Sequence, residues 1–174
     1  MVVQSVLVTL GLALLGNDQI LDEFKYADSQ AAAAAWTASA GTKPVEVVEE
    51  DGRTLLEFDA PFAADTEMGR TVIDRNVKLD LSATGEFTVE LSAENPQAVG
   101  QVSLYFRSGS GWYAAGTGLV KEGWQTLRFS KAAFNIEDKP AGWHEIDGIR
   151  IACWRGQAVD SKIRLKRLAA GWNE

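Results

Sequence analysis

Beyond Gly41 the chain runs as a succession of short segments rich in Val, Ile, Thr, Leu and aromatic residues, separated by Gly, Asp, Asn and Pro at intervals near those of all-β domains. Within the segments apolar and polar residues alternate. Between 101 and 107, Val102, Leu104 and Phe106 share one parity and Ser103, Tyr105 and Arg107 the other; between 149 and 154, Ile149, Ile151 and Cys153 oppose Arg150, Ala152 and Trp154. Side chains of a strand point alternately to its two faces, so each such segment has one face for a core and one left outside. Strands are expected at 20–26, 45–49, 54–58, 70–79, 86–91, 101–107, 112–117, 124–129, 148–154 and 162–168. Asp51-Gly52, between the second and third, supplies the two positive-φ positions of a type I′ hairpin turn. The one expected helix is SQAAAAAW at 29–36, where five alanines favour the helix, Asp28 or Ser29 caps it, and Trp36 gives it something to bury. This pattern is all-β: a two-sheet antiparallel β-sandwich, a jelly roll rather than a smaller immunoglobulin-like sandwich, with one short Ala-rich N-terminal helix.

The chain has 174 residues, enough for one domain that buries roughly 70% of its unfolded surface and needs neither a disulfide nor a metal to hold a core. Residues 1–16, MVVQSVLVTLGLALLG, are uncharged and almost continuously apolar, short of the roughly 20 residues that span a bilayer. They resemble the apolar region of a signal peptide, without its basic start, since the first Lys or Arg is Lys25. A buried first strand or a misplaced start codon are the other readings of this stretch. Its removal leaves a sandwich domain at 17–174, secreted or periplasmic, with no membrane span. Seventeen Lys and Arg against twenty-four Asp and Glu give a net charge of −7, which opposes any grip on a phosphate backbone and argues against a nucleic-acid partner. The single Cys153 forms no internal disulfide, its parity points it into the sandwich, and no Cys/His cluster exists for zinc.

Catalysis finds little support. His144, the only imidazole, sits in a Gly-Trp-His-Glu loop, and no GxSxG elbow occurs. The carboxylates fall at turns (Asp51, Glu94, Asp138, Asp160) or on polar strand positions (Glu57, Glu90), and nothing selects a glycosidase pair among them. The Gly-rich run 107–111 lies between two strands and reads as a hairpin loop, not a phosphate cradle. The aromatic residues say more. Of six Trp, several adjoin Arg where outer or rim positions are expected. Tyr105 and Arg107 share a strand face, Trp112 and Tyr113 follow the next turn, and Arg150, Trp154 and Arg155 lie near the end of another strand. A pyranose offers an apolar C–H face to stack on an indole or phenol while guanidinium groups hydrogen-bond its hydroxyls, so these seven residues form a candidate sugar platform.

LDEFKY near the start, YFRSGSGWYAAG, GWQTLRFSKAAF and AGWHEIDGIRIACWRG resemble the carbohydrate-binding-module-like jelly rolls of the galactose-binding-like superfamily, found beside glycoside hydrolase domains in secreted bacterial enzymes. The resemblance runs from about Ile20 to Ala169 and lies in strand pattern rather than in a signature motif. It implies a β-sandwich without catalytic activity that holds a partner glycoside hydrolase domain near a glycan. It requires no cofactor. Members of the superfamily often hold a structural Ca²⁺ between first and last strands. Asp22 and Glu23 match the first-strand part of that pattern, whereas the last strand, KIRLKRLAA, places basic residues where acidic ligands would help.

Two other functions fit the same residues. In a structural or protein-interaction domain, the Trp, Tyr and Arg side chains would form an interface core. A small glycan-active enzyme would need two carboxylates facing one cleft.

Overall fold

The computed structural model describes residues 18–63, 67–119 and 121–172; the expected leader at 1–16 lies outside them. In chain order the elements are β1 (Gln19–Asp22), α1 (Ser29–Ala35), β2 (Thr37–Ser39), β3 (Glu46–Glu50), β4 (Arg53–Ala60) and β5 (Arg70–Leu79). There follow β6 (Thr84–Ala93), β7 (Val99–Ser108), β8 (Gly111–Thr117), β9 (Gln125–Ser130), β10 (Asn135–Glu137), β11 (Ile146–Arg155) and β12 (Ser161–Trp172). They form two six-stranded sheets. Sheet A has the order β3-β4-β12-β6-β9, with β1 also beside β12, and sheet B the order β10-β8-β7-β11-β5-β2. Every pairing is antiparallel. The expected sandwich with one short helix is what the chain adopts.

Alternation builds the core. Along β9 buried and exposed residues alternate without a break, and along β6 buried residues alternate with half-buried ones. At one end Phe87 lies 4.4 Å from Phe106, and Trp143 stacks on Phe87 at 5.6 Å. Elsewhere in the core Phe24 and Trp36, both fully buried, meet at 5.5 Å. Each such ring contributes roughly 1.5–3 kcal/mol through burial. The β3–β4 hairpin turns at Asp51 and Gly52, with φ of 51° and 72°, as its sequence requires. The Asp28 carboxylate accepts the Ala31 N–H at 2.8 Å and starts α1.

The strand expected at 20–26 ends at Asp22. The Asp22 carboxylate accepts the Phe24 N–H at 2.6 Å, and Phe24 takes a φ of 53°, which turns the chain and sends the ring into the core. The edge strands β2 and β10 were not expected. Each has three residues, too few for an alternation signal, and becomes a strand by pairing with β5 and β8.

The outer face of sheet A is laced with ion pairs. Glu57 is nearly buried there between Lys162 at 2.7 Å and Arg164 at 2.8 Å. Burial works to raise the Glu57 pKa, but the hydrogen bonds from these two cations outweigh it and hold the carboxyl below its usual range. Glu50, at the tip of the β3–β4 hairpin, accepts the Trp124 indole N–H at 2.9 Å and Arg164 Nη1 at 2.7 Å. The two edges of sheet A thus meet over its outer surface.

Candidate functional site

The outer face of sheet B carries the residues the sequence singles out. Strand register lays them in rows across the sheet. One row runs Glu137, Trp112, Arg107, Gly148 and Asn76; the next runs Asn135, Ala114, Tyr105, Arg150 and Asp74. A third row, Gly116, Ser103, Ala152, Val72 and Ser39, consists of short side chains, and beyond it lie Gln101, Trp154 and Arg70. The outer face therefore has a low strip of small residues, of which Ser103, Ala152 and Val72 are buried beneath their neighbours, with an indole on either side.

Tyr105, Val72 and Ala152 form a small apolar cluster of their own on this face, separate from the main core, with Trp112 and Ala114 packed against it. Tyr105 and Trp112 meet edge to face, with centroids 6.2 Å apart and planes at 88°. Arg107 lies 5.7 Å and Arg150 4.6 Å from the Trp112 ring centre, and Arg70 lies 5.0 Å from that of Trp154. Trp112 and Trp154 are each half-buried, so part of both indoles faces solvent.

The guanidinium groups are held in place. Arg150 binds Asp74 through two hydrogen bonds of 2.7 and 3.1 Å, and Ser39 Oγ donates to the same carboxylate at 3.1 Å. Its hydrogen bonds to Asp74 raise the Arg150 pKa further above its already high range. Arg107 Nε donates to Asp147 at 2.6 Å and Nη2 to Asn76 Oδ1 at 3.0 Å. Beside the low strip, Trp154 Nε1 and Gln101 Nε2 both donate to Ser103 Oγ, at 3.1 and 2.8 Å. The result is a preorganised surface of indole edges and fixed donors.

Of the seven expected platform residues, Tyr105, Arg107, Trp112 and Arg150 come together, and Trp154 stands across the low strip from them. Tyr113 does not join them. It follows Trp112 along β8 and so points the other way, into the core, where it stacks on Trp143 at 4.1 Å and is 7% exposed. Arg155 also leaves the group: a register shift after Trp154 turns it aside, and its Nη2 donates to the Ala63 carbonyl at 3.2 Å. The sequence reading missed Gln101, Ser103, Asp74, Asn76, Asp147 and Arg70. Gln101 and Ser103 share the parity of Tyr105 and were legible from it; the others reach the site through non-local pairing of β5 and β11.

Asp22 and Glu23 do not fit a calcium site. The Asp22 carboxylate accepts Trp36 Nε1 at 2.9 Å, the Tyr26 hydroxyl at 2.5 Å and the Phe24 N–H, and is also paired with Arg75. These donors occupy the lone pairs an ion would need. Glu23 is exposed and pairs with Lys25 at 3.4 Å. Among the described residues no group of three or more His, Cys, Asp or Glu is placed to hold a metal. No helix among the described residues is long and apolar enough to cross a membrane. Cys153 is wholly buried, as its parity implies.

No family model matches the chain, and no curated protein matches it in sequence. Solved structures do match in shape. A family 11 carbohydrate-binding module from Clostridium thermocellum, solved with a β-1,3-1,4-mixed-linked tetrasaccharide, superposes with a TM-score of 0.64 at 12% identity, over 88% of this chain and 94% of that one. The agarase AgWH50C gives 0.62 at 12% identity over 91% of this chain, which spans only 25% of the agarase. A mannan-recognising module, TmCBM27, gives 0.50 at 14% identity, covering 84% of this chain and 95% of that one. The chain thus has the β-sandwich fold of carbohydrate-binding modules.

Proposed function

We propose that the chain binds a polysaccharide or oligosaccharide, without turning it over, on the outer face of sheet B. The observation that carries this reading is the pair of half-buried indoles, Trp112 and Trp154, on the outer face of sheet B, with Arg107 and Arg150 fixed over Trp112 by carboxylates. A sugar chain would lie across the exposed edges of these rings, since Ser103 and Ala152 between them are buried. The indoles offer apolar surface for its C–H faces, and the held guanidinium groups offer donors at no further cost in side-chain ordering. Asp74 and Asp147 serve here to position arginines rather than to act as a catalytic pair.

Three similar structures bear on the glycan and the setting. Modules of the same fold were solved with a β-1,3-1,4-mixed-linked tetrasaccharide and for mannan recognition, and the fold occupies a quarter of an agarase. These support β-linked plant or algal polysaccharides as first ligands, an accessory role beside a glycoside hydrolase domain, and action outside the cell.

Affinity electrophoresis through gels containing mixed-linkage β-glucan, mannan or agarose tests the reading. At least one polymer is expected to retard the protein, and Trp154→Ala and Trp112→Ala each to restore mobility while the melting transition persists. Equal retardation of both variants and the parent would remove the platform. Failure of all three polymers together with capture of a protein partner through Trp112 would favour the interaction-domain reading.

A further inference from the structure

The opposite face of the sandwich has a cleft of a different chemistry. On β12 the register passes from Leu165↔Leu91 to Arg167↔Glu90, so Lys166 is an extra, bulged residue. Along its other edge β12 pairs with β4 only as far as Leu165, and with β1 only from Leu168 onward. Lys166 and Arg167 therefore lie where β12 changes partners. A bulge sets two residues of one strand opposite one of the other, which brings two consecutive cations to the same place.

A cleft of about 630 Å³ opens there, with Lys25, Arg53, Lys166 and Arg167 on its walls against Glu23 and Glu90. Lys25 pairs with Glu23 at 3.4 Å and Lys166 with Glu90 at 3.2 Å. The guanidinium of Arg53 has no ion-pair partner among the described residues. Arg167 reaches Asp18 through Nη2 at 3.6 Å, but its Nε is shut off from solvent and has no acceptor. With Nε closed off, Arg167 offers the cleft its Nη groups, beside the Arg53 guanidinium.

We infer that this cleft binds an acidic saccharide through its carboxylate or sulfate group, with Arg53 and Arg167 as donors. The planar guanidinium matches both oxyanions through paired hydrogen bonds. The volume falls in the range that holds a small organic ligand, and an inorganic ion would leave most of it empty. The site lies on sheet A and the β3–β4 hairpin, so it is independent of the platform on sheet B.

Isothermal titration with an oligogalacturonate, a sulfated galactan oligosaccharide and sodium sulfate separates the sources of the anion. Binding of the uronate or the sulfated sugar is expected, weakening at least five-fold in Arg53→Gln and in Arg167→Lys, the second of which keeps the charge but removes the planar guanidinium. Arg53 lies at an exposed hairpin tip, so an unchanged melting temperature in Arg53→Gln separates lost binding from lost folding. Trp154→Ala is expected to bind the acidic sugar as the parent does. Sodium sulfate binding as tightly as either sugar, no binding by either sugar, or parental affinity in Arg53→Gln would each overturn the inference. Loss in Trp154→Ala alone would move the ligand to sheet B and overturn it while sparing the platform.

Discussion

The indole N–H of Trp36 donates to the carboxylate of Asp22 at 2.9 Å, so the end of α1 is tied to the end of β1 inside the sandwich. Asp22 also accepts from Phe24 and Tyr26 and pairs with Arg75. Asp22→Asn replaces one acceptor oxygen by a donor that faces other donors and leaves Arg75 without its counter-charge. A loss of about 3 kcal/mol in urea denaturation is expected, since removing one partner of a buried pair costs far more than the pair itself contributes.

Tyr26 adds an alkaline limit. Burial first, and then the hydrogen bond and charge of Asp22, push its phenol well above the ordinary range. The folded state thus favours the neutral phenol. Its stabilising effect is complete below the unfolded pKa of about 10 and is lost as pH rises beyond it. Parent protein should lose stability above about pH 10, and Tyr26→Phe should lose less over the same window, as followed by denaturant midpoint against pH.

Trp112 and Tyr113 are neighbours in sequence but face opposite sides of sheet B, the first outward and the second into the core. Tyr113→Ala is expected to cost about 3–5 kcal/mol, the range for emptying a buried aromatic site. Trp112→Ala should cost much less and leave the fold intact, because it trims the outer face and uncovers Tyr105. Chemical denaturation of the two variants side by side checks the difference.

Gly116 lies beneath the Gln101 carboxamide, whose Nε2 sits only 1.9 Å from where a Cβ would stand. Gly116→Ala must displace that flexible side chain and break its bond to Ser103. A stability change within about 1 kcal/mol is expected, since only a flexible side-chain end has to move. Glycan retention on the same gels should fall several-fold.

Fold class was legible because parity is a local property: Val102, Leu104 and Phe106 face inward and Tyr105 outward, as their spacing requires. The same rule applied to β8 would have placed Tyr113 inside; grouping it with Trp112 by adjacency set the rule aside. What sequence could not reveal was which strands lie side by side. Asp74 and Arg150 are 76 residues apart in sequence and meet only because β5 pairs with β11. Asp22 was legible as an acid but not as an acceptor already taken, since its donors Trp36 and Arg75 arrive from distant positions.

Cys153 sits near the C-terminal end of β11 with Val102 and Thr71 beside it, wholly buried, and burial pushes its thiol up to about 12. In the native molecule it is neither ionised at neutral pH nor within reach of a reagent. Its alkylation rate would therefore serve as a clock for opening of the central strands, read from the only sulfhydryl in the chain and without any added label.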